Sequence, residues 1–356
     1  MTTVQGGQQP GTVSTSGIVM SNPIQVAIAL LGSVAMLSTM TDAARAQVAT
    51  AELLQLETKI PLGDVRGRID HMVVDRVRNR LVVAELENDS VAIVDLKDRK
   101  VLHVISGLKE PQGVAYVPST DMLYVANAGD GSVLLFRGGD YAAAGTIELG
   151  EDADNIRLAP STKTVFVGYG SGALAVIDAA TQRKVADIPL GTHPESFQLT
   201  PDGGRIYVNL PKARALAVLD AATRKQLATW PASVGSGNFA MALDHATQRV
   251  IVVFRTPPKL AAFSMVDSGL IEMADTCADA DDVFVDAKRQ RIYVSCGDGF
   301  LDIFDKQNHP YRRLGHIATA SGARTSLFVP ELDRLFVAVR ANAGEPAGIW
   351  VFRPTP

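Results

Sequence analysis

Seven short segments of this chain share one pattern, and their spacing constrains the fold more than any other feature. Leu81-Val82-Val83, Leu123-Tyr124-Val125, Val165-Phe166-Val167, Ile206-Tyr207-Val208, Ile251-Val252-Val253, Ile292-Tyr293-Val294 and Leu335-Phe336-Val337 each close on valine, at intervals of 42, 42, 41, 45, 41 and 43 residues. A fixed period of this length marks a repeat architecture in which each unit is one supersecondary element. β-Branched and aromatic residues in runs this short read as buried strands, not helices. Most runs follow a tight turn, such as PSTDM at 118–122, PDGGR at 201–205 or DAKRQ at 286–290. Pro, Asp and Gly there supply hairpin geometry. A third strand comes after each valine run, as in VAIVD at 91–95, LAVID at 174–178, LAVLD at 216–220 and LDIFD at 301–305. A fourth closes most units, as in VLHVI at 101–105 and VADIPL at 185–190. Four antiparallel strands per repeat make a propeller blade, so the chain is predicted to be all-β, a seven-bladed β-propeller with four-stranded blades.

The last unit lacks a fourth strand, since the sequence reaches Pro356 soon after IWVF at 349–352. Ile60-Pro61-Leu62-Gly63 repeats Ile188-Pro189-Leu190-Gly191, the end of a fourth strand in the third unit. Residues 53–62 are therefore expected to pair with the last blade and close the ring, removing sheet edges that invite aggregation. An open solenoid or two small sheets is the competing arrangement. The units resemble the YVTN-type repeats of the YncE-like bacterial propellers, in which a Pro-Asp-Gly turn precedes an aliphatic-Tyr-Val strand and an aliphatic-Asp strand. Pro201-Asp202-Gly203, Ile206-Tyr207-Val208 and Leu219-Asp220 carry the resemblance best, and it covers residues 53–354. It implies the fold and agrees with export. Such repeats are scaffold residues and leave function open.

Residues 24–40, IQVAIALLGSVAMLSTM, are the only long apolar run, and Ala44-Arg45-Ala46 ahead of Gln47 fits a secretory cleavage pattern. The expected organisation is a signal peptide over residues 1–46 and a propeller domain over 47–356, destined for the periplasm or secretion, with no membrane span once the signal is removed. No Lys or Arg precedes Arg45, so a basic n-region is missing, and Met20 is an alternative start. An uncleaved anchor or a disordered cytoplasmic tail are the other readings of this segment. Cys277 and Cys296 are the only cysteines. They fall in the same blade, where a disulfide is feasible if the Cα atoms come within about 7 Å; two free thiols is the alternative.

In a propeller the loop entering each innermost strand shares a face with the loop between the second and third strands. The entering loops read GDVRGRIDH at 63–71, KEPQG at 109–113, EDADN at 151–155, THPES at 192–196, GSGNF at 235–239, ADADD at 278–282 and SGART at 321–325. Their polar residues are expected to rim the central channel, with carboxylates outnumbering cations there. Clustered carboxylates favour cations or amines; acidic loops that merely keep the surface soluble are the bland alternative. Arg68, Asp70, His193, Asn238 and Arg324 are the expected ligand-binding residues, the two arginines being the best anion grips. Glu110, Asp154, Glu195 and Asp281 are candidate oxygen ligands for Ca²⁺ or Mg²⁺, with His71 as candidate general base.

A net charge of −4 and an acidic rim with only Phe239 at its edge disfavour nucleic acid. There is no Cys-x-x-Cys-His for covalent haem, no Gly-x-Ser-x-Gly elbow in a strand-to-helix setting, and the Gly-rich stretches join strand to strand. The leading expectation is a monomeric binding or scaffolding propeller that takes a small molecule or a periplasmic protein on its acidic face. The rival is a metal-dependent hydrolase or lyase, similar to propeller lactonases, though their ligand spacing is not matched. A partner subunit of a periplasmic redox enzyme is a third class that fits the fold.

Overall fold

The computed structural model describes residues 53–159 and 163–356; the predicted signal segment lies outside these. Seven four-stranded antiparallel sheets occupy residues 72–106, 111–148, 153–189, 197–231, 236–275, 280–318, and 326–354 together with 54–61. We call them blades one to seven. Within blades one to six the strands follow chain order from the channel outward. The seven repeat valines, Val83, Val125, Val167, Val208, Val253, Val294 and Val337, all sit on second strands and all have zero exposure. The periodicity is thus the spacing of the core.

The blades recur because local chemistry recurs. In blades one, three and four the aspartate ending the third strand turns the chain: Asp95 Oδ1 accepts from the N–H of Lys97 and Asp98 at 2.9 and 2.8 Å. Asp178 and Asp220 each accept from a threonine N–H at 2.7 Å. A residue at positive φ completes each turn (Arg99, Gln182, Arg224). The aliphatic-Asp pattern of the repeat is therefore a strand followed by its own Asx turn.

The ring closes as expected. The strand Leu54–Pro61 pairs antiparallel with Gly348–Pro354, from Leu54 opposite Pro354 to Pro61 opposite Gly348. Hydrogen bonds flank the ladder at both ends, Leu62 N–H to Ala347 O and Thr355 N–H to Leu53 O, each 3.1 Å. Ile60 is buried among Leu81, Val83, Phe336 and Ile349, so the closing strand seals blade seven against blade one. Glu57 is clasped by Arg334 and Arg353. Lys59 reaches Glu345 at 2.8 Å and lies over the Trp350 ring.

Cys277 and Cys296 form a disulfide, with Cα atoms 5.8 Å apart, across the entry to blade six. Among the described residues no helix is long and apolar enough to cross a membrane.

Two outcomes follow from this packing. Ile60→Ala should cost about 3 kcal/mol of stability through the cavity left at the closure, whereas Leu56→Ala, on the exposed side of the same strand, should cost less than about 1 kcal/mol. Chemical denaturation of both variants checks the difference. Reductant should lower the melting temperature of the wild type, corresponding to about 3 kcal/mol for a loop of 19 residues. The double variant Cys277→Ser, Cys296→Ser should start from that lower value and not respond to reductant.

Candidate functional site

The mouth of the channel on the face of the entering loops is a cavity of about 260 Å³. What aims side chains into it is a recurrent irregularity in the innermost strands. The register slips at Pro111/Gly113, Ala153/Ile156, Asn238/Ala240 and Ala280/Asp282. The extra residues, Gln112, Asp154 and Asn155, Phe239 and Asp281, all line the cavity. In blade one Ala84 is bonded to two consecutive residues, Asp70 and His71, and in blade four Asn209 to Glu195 and Ser196. A β-bulge of this kind turns a side chain that would alternate into a blade interface toward the axis instead. In blade two the bulge needs glycine: a Cβ on Gly113 would lie 2.1 Å from the carbonyl oxygen of Asp154. The backbone carrying Asp154 is seated directly against blade two.

The wall from blades five, six and seven is electrostatically complete. Arg255 donates through Nη2 to Asp281 at 2.6 Å and through Nε to Ala280 O at 2.9 Å, with its guanidinium 3.8 Å from the Phe239 ring centroid. Arg324 Nε lies 3.0 Å from the other oxygen of Asp281, and its Nη1 donates to Asp279. Blade one contributes Arg68, 2.7 Å from buried Asp70, and His71, whose Nε2 is 3.6 Å from the same carboxylate.

The wall from blades three and four is not complete. Asp154 is 6% exposed, and among the described residues neither its Oδ1 nor Asn155 Oδ1 has a hydrogen-bond partner. His193 approaches Asp154 Oδ2 only to 4.0 Å, its Nδ1 being engaged with Gly170 O at 2.7 Å. Among the described residues Glu195 has no ion-pair partner. Burial, reinforced by the negative charge of Asp154, pushes the Glu195 carboxyl up to about 8. Burial opposes charging of His193, but its contacts with Asp154, Gly170 O and Asp152 overcome this and raise it to about 9. His71 is likewise raised, Asp70, Asp282 and Asp154 outweighing its burial.

Two expectations are corrected here. Glu110 stays outside the cavity: it is exposed, and its backbone, at positive φ, donates to Asp89 Oδ1 at 2.9 Å. Asn238 is fully buried and spends its amide on Asn209 Oδ1 and Ala215 O at 3.2 and 3.0 Å, tying blade five to blade four. Carboxylates outnumber Lys and Arg side chains in the cavity, as expected, but only by five to four. Lys212 arrives from the loop after the second strand of blade four and Arg255 from the end of the second strand of blade five, positions that share the face by topology.

The proposed oxygen-ligand set is assembled only in part. Glu110 is absent from the cavity and Asp281 is held by two guanidiniums. Among the described residues no three His, Asp or Glu donors of the cavity lie within 4.8 Å of one another. Arg68, Asp70, His71, Asp154, His193, Glu195, Asp281 and Arg324 do converge.

No family model and no curated protein matches the chain in sequence. Among solved structures, a chain of Kuenenia stuttgartiensis hydrazine synthase is similar, with a TM-score of 0.71 and 18% identity, covering 84% of this chain and 98% of that one. At that identity the likeness is one of fold.

The Glu195 shift has a stability consequence. Its folded value lies above the unfolded 4.5, so its favourable contribution is complete below 4.5 and is lost as pH rises through about 8. Glu195→Gln should therefore gain stability relative to wild type across that window and differ little at lower pH. Denaturation at a series of pH values reads this directly. A difference that stays flat with pH contradicts the buried, proton-retaining carboxyl.

Proposed function

We propose that this protein is an exported, YncE-like binding propeller that holds a small polar molecule at the mouth of its channel through an ammonium group. The observation that carries this reading is the unspent acceptor set on one wall. Among the described residues Asp154 Oδ1 and Asn155 Oδ1 are buried without donors, and Glu195, in the same cavity, has no ion-pair partner. A buried acceptor without a donor costs about 1–3 kcal/mol, which a ligand N–H returns. Arg255 and Arg324 are already committed to Asp281 and Asp279, so the acceptors left for a ligand cation are those of blades three and four. Export is supported by the apolar run and Ala44-Arg45-Ala46 in the sequence and by the disulfide, which suits an oxidising compartment.

Titration calorimetry with small primary amines, including ethanolamine and 1,4-diaminobutane, against the matching alcohols tests the proposal. Amines should bind and alcohols should not. Affinity should rise as pH is raised from 6 toward about 8, where Glu195 gives up its proton while the amines stay charged. Asp154→Asn should weaken binding about tenfold or more. Equal binding of amines and alcohols, or an unaffected Asp154→Asn variant, overturns the reading.

A further inference from the structure

Past His71 the channel opens into a second chamber of about 290 Å³, walled by the middle of the innermost strands. Its character differs from that of the mouth. Val73, Leu158, Phe284 and Leu327 give it an apolar lining, and one strong cation, Arg157, projects from blade three. Arg157 Nη1 donates to the carbonyl of its own neighbour, Ile156, at 2.8 Å, and the guanidinium stands 5.7 Å from the Phe197 ring centroid. Among the described residues it has no other hydrogen bond and no ion pair. A guanidinium offers five N–H donors in a planar fork, so most of this one is unspent.

That arrangement is expensive without a partner. Burial lowers the Arg157 pKa, and the carboxylates of Asp282 and Asp154, acting from beyond ion-pair range, do not offset it. Asp282, the carboxylate that shares the chamber, is occupied with the Ser326 N–H at 2.8 Å. Gln198 is likewise engaged, donating to Met241 O at 3.0 Å. Among the described residues this charge in a largely apolar space thus has no counter-charge in contact with it, whereas the other channel arginines, Arg68, Arg255 and Arg324, each have one.

We propose that this inner chamber is a second binding site, separate from the channel mouth, for a small monocarboxylate with a short apolar tail. The fork of Arg157 takes the carboxylate through paired N–H donors. The tail lies against Val73, Leu158, Phe284 and Leu327. A single cation matches a single negative charge, and the nearby Asp282 disfavours a doubly charged anion such as phosphate.

The test follows the side-chain Nε–H resonance of Arg157 in the ¹⁵N-labelled full chain during titration with acetate, butanoate and hexanoate, with inorganic phosphate as comparison. The expected result is a saturable shift whose affinity grows about fourfold per added methylene, with weaker binding of phosphate. Arg157→Gln, which removes the reporter and is therefore read by titration calorimetry alongside the wild type, should abolish binding of all three acids. Leu327→Trp, which takes apolar volume from the chamber and keeps Arg157, should weaken hexanoate at least tenfold and leave acetate nearly unchanged; it carries the test by itself if Arg157→Gln does not fold. No saturable shift, affinity independent of chain length, phosphate bound as well as hexanoate, or hexanoate bound normally by Leu327→Trp each overturns the proposal.

Discussion

The pairing of residues 54–61 with 348–354 is the constraint on which the rest of the structure depends. A blade cannot bury both of its faces alone, so each needs a neighbour on either side. Only when the first and last blades meet does every blade have one. The Ile60 side chain and the hydrogen bonds of Leu62 and Thr355 make that meeting a continuous sheet. Closure at seven sectors also sets the channel, and thereby which loops far apart in sequence share one cavity.

Inside that ring the bulges do the functional positioning. A regular strand would send successive side chains alternately into the two blade interfaces. Slipping the register where each innermost strand begins turns Gln112, Asp154, Asn155, Phe239 and Asp281 to the axis. The channel mouth then divides by chemistry. Toward blades five to seven, guanidiniums and carboxylates satisfy one another; toward blades three and four, acceptors are left over. A site that is half neutralised in advance selects by what remains unpaired, which is why the unspent atoms, and not the total charge, argue for an ammonium ligand.

The fold was legible because it is carried by hydrophobic period and turn chemistry, both local. Val83 and its six counterparts mark second strands, and Asp95, Asp178 and Asp220 mark the turns that follow third strands. The site was legible in part. Entering loops name Asp70, His71, Asp154, His193, Glu195, Asp281 and Arg324 because topology alone brings those loops to one face. Asn238 sits in an entering loop and still misses the cavity, its amide spent between blades four and five. Glu110 misses it too, although Asp152, also just before its strand and also at positive φ, lines it. Such outcomes depend on a single partner or side-chain direction, which no spacing encodes.

By itself, then, the sequence determined the number of blades, their strand order, the closing segment and the face on which polar loops gather, since each rests on periodicity or on neighbours along the chain. Tertiary structure alone decided which carboxylates are neutralised and which stand free. The reason is that ion pairing depends on distances between residues as far apart in sequence as Arg255 and Asp281, or on a contact that never forms, as at Arg157. Periodicity places a strand to within a residue or two, whereas a salt bridge is made or lost within a few ångströms.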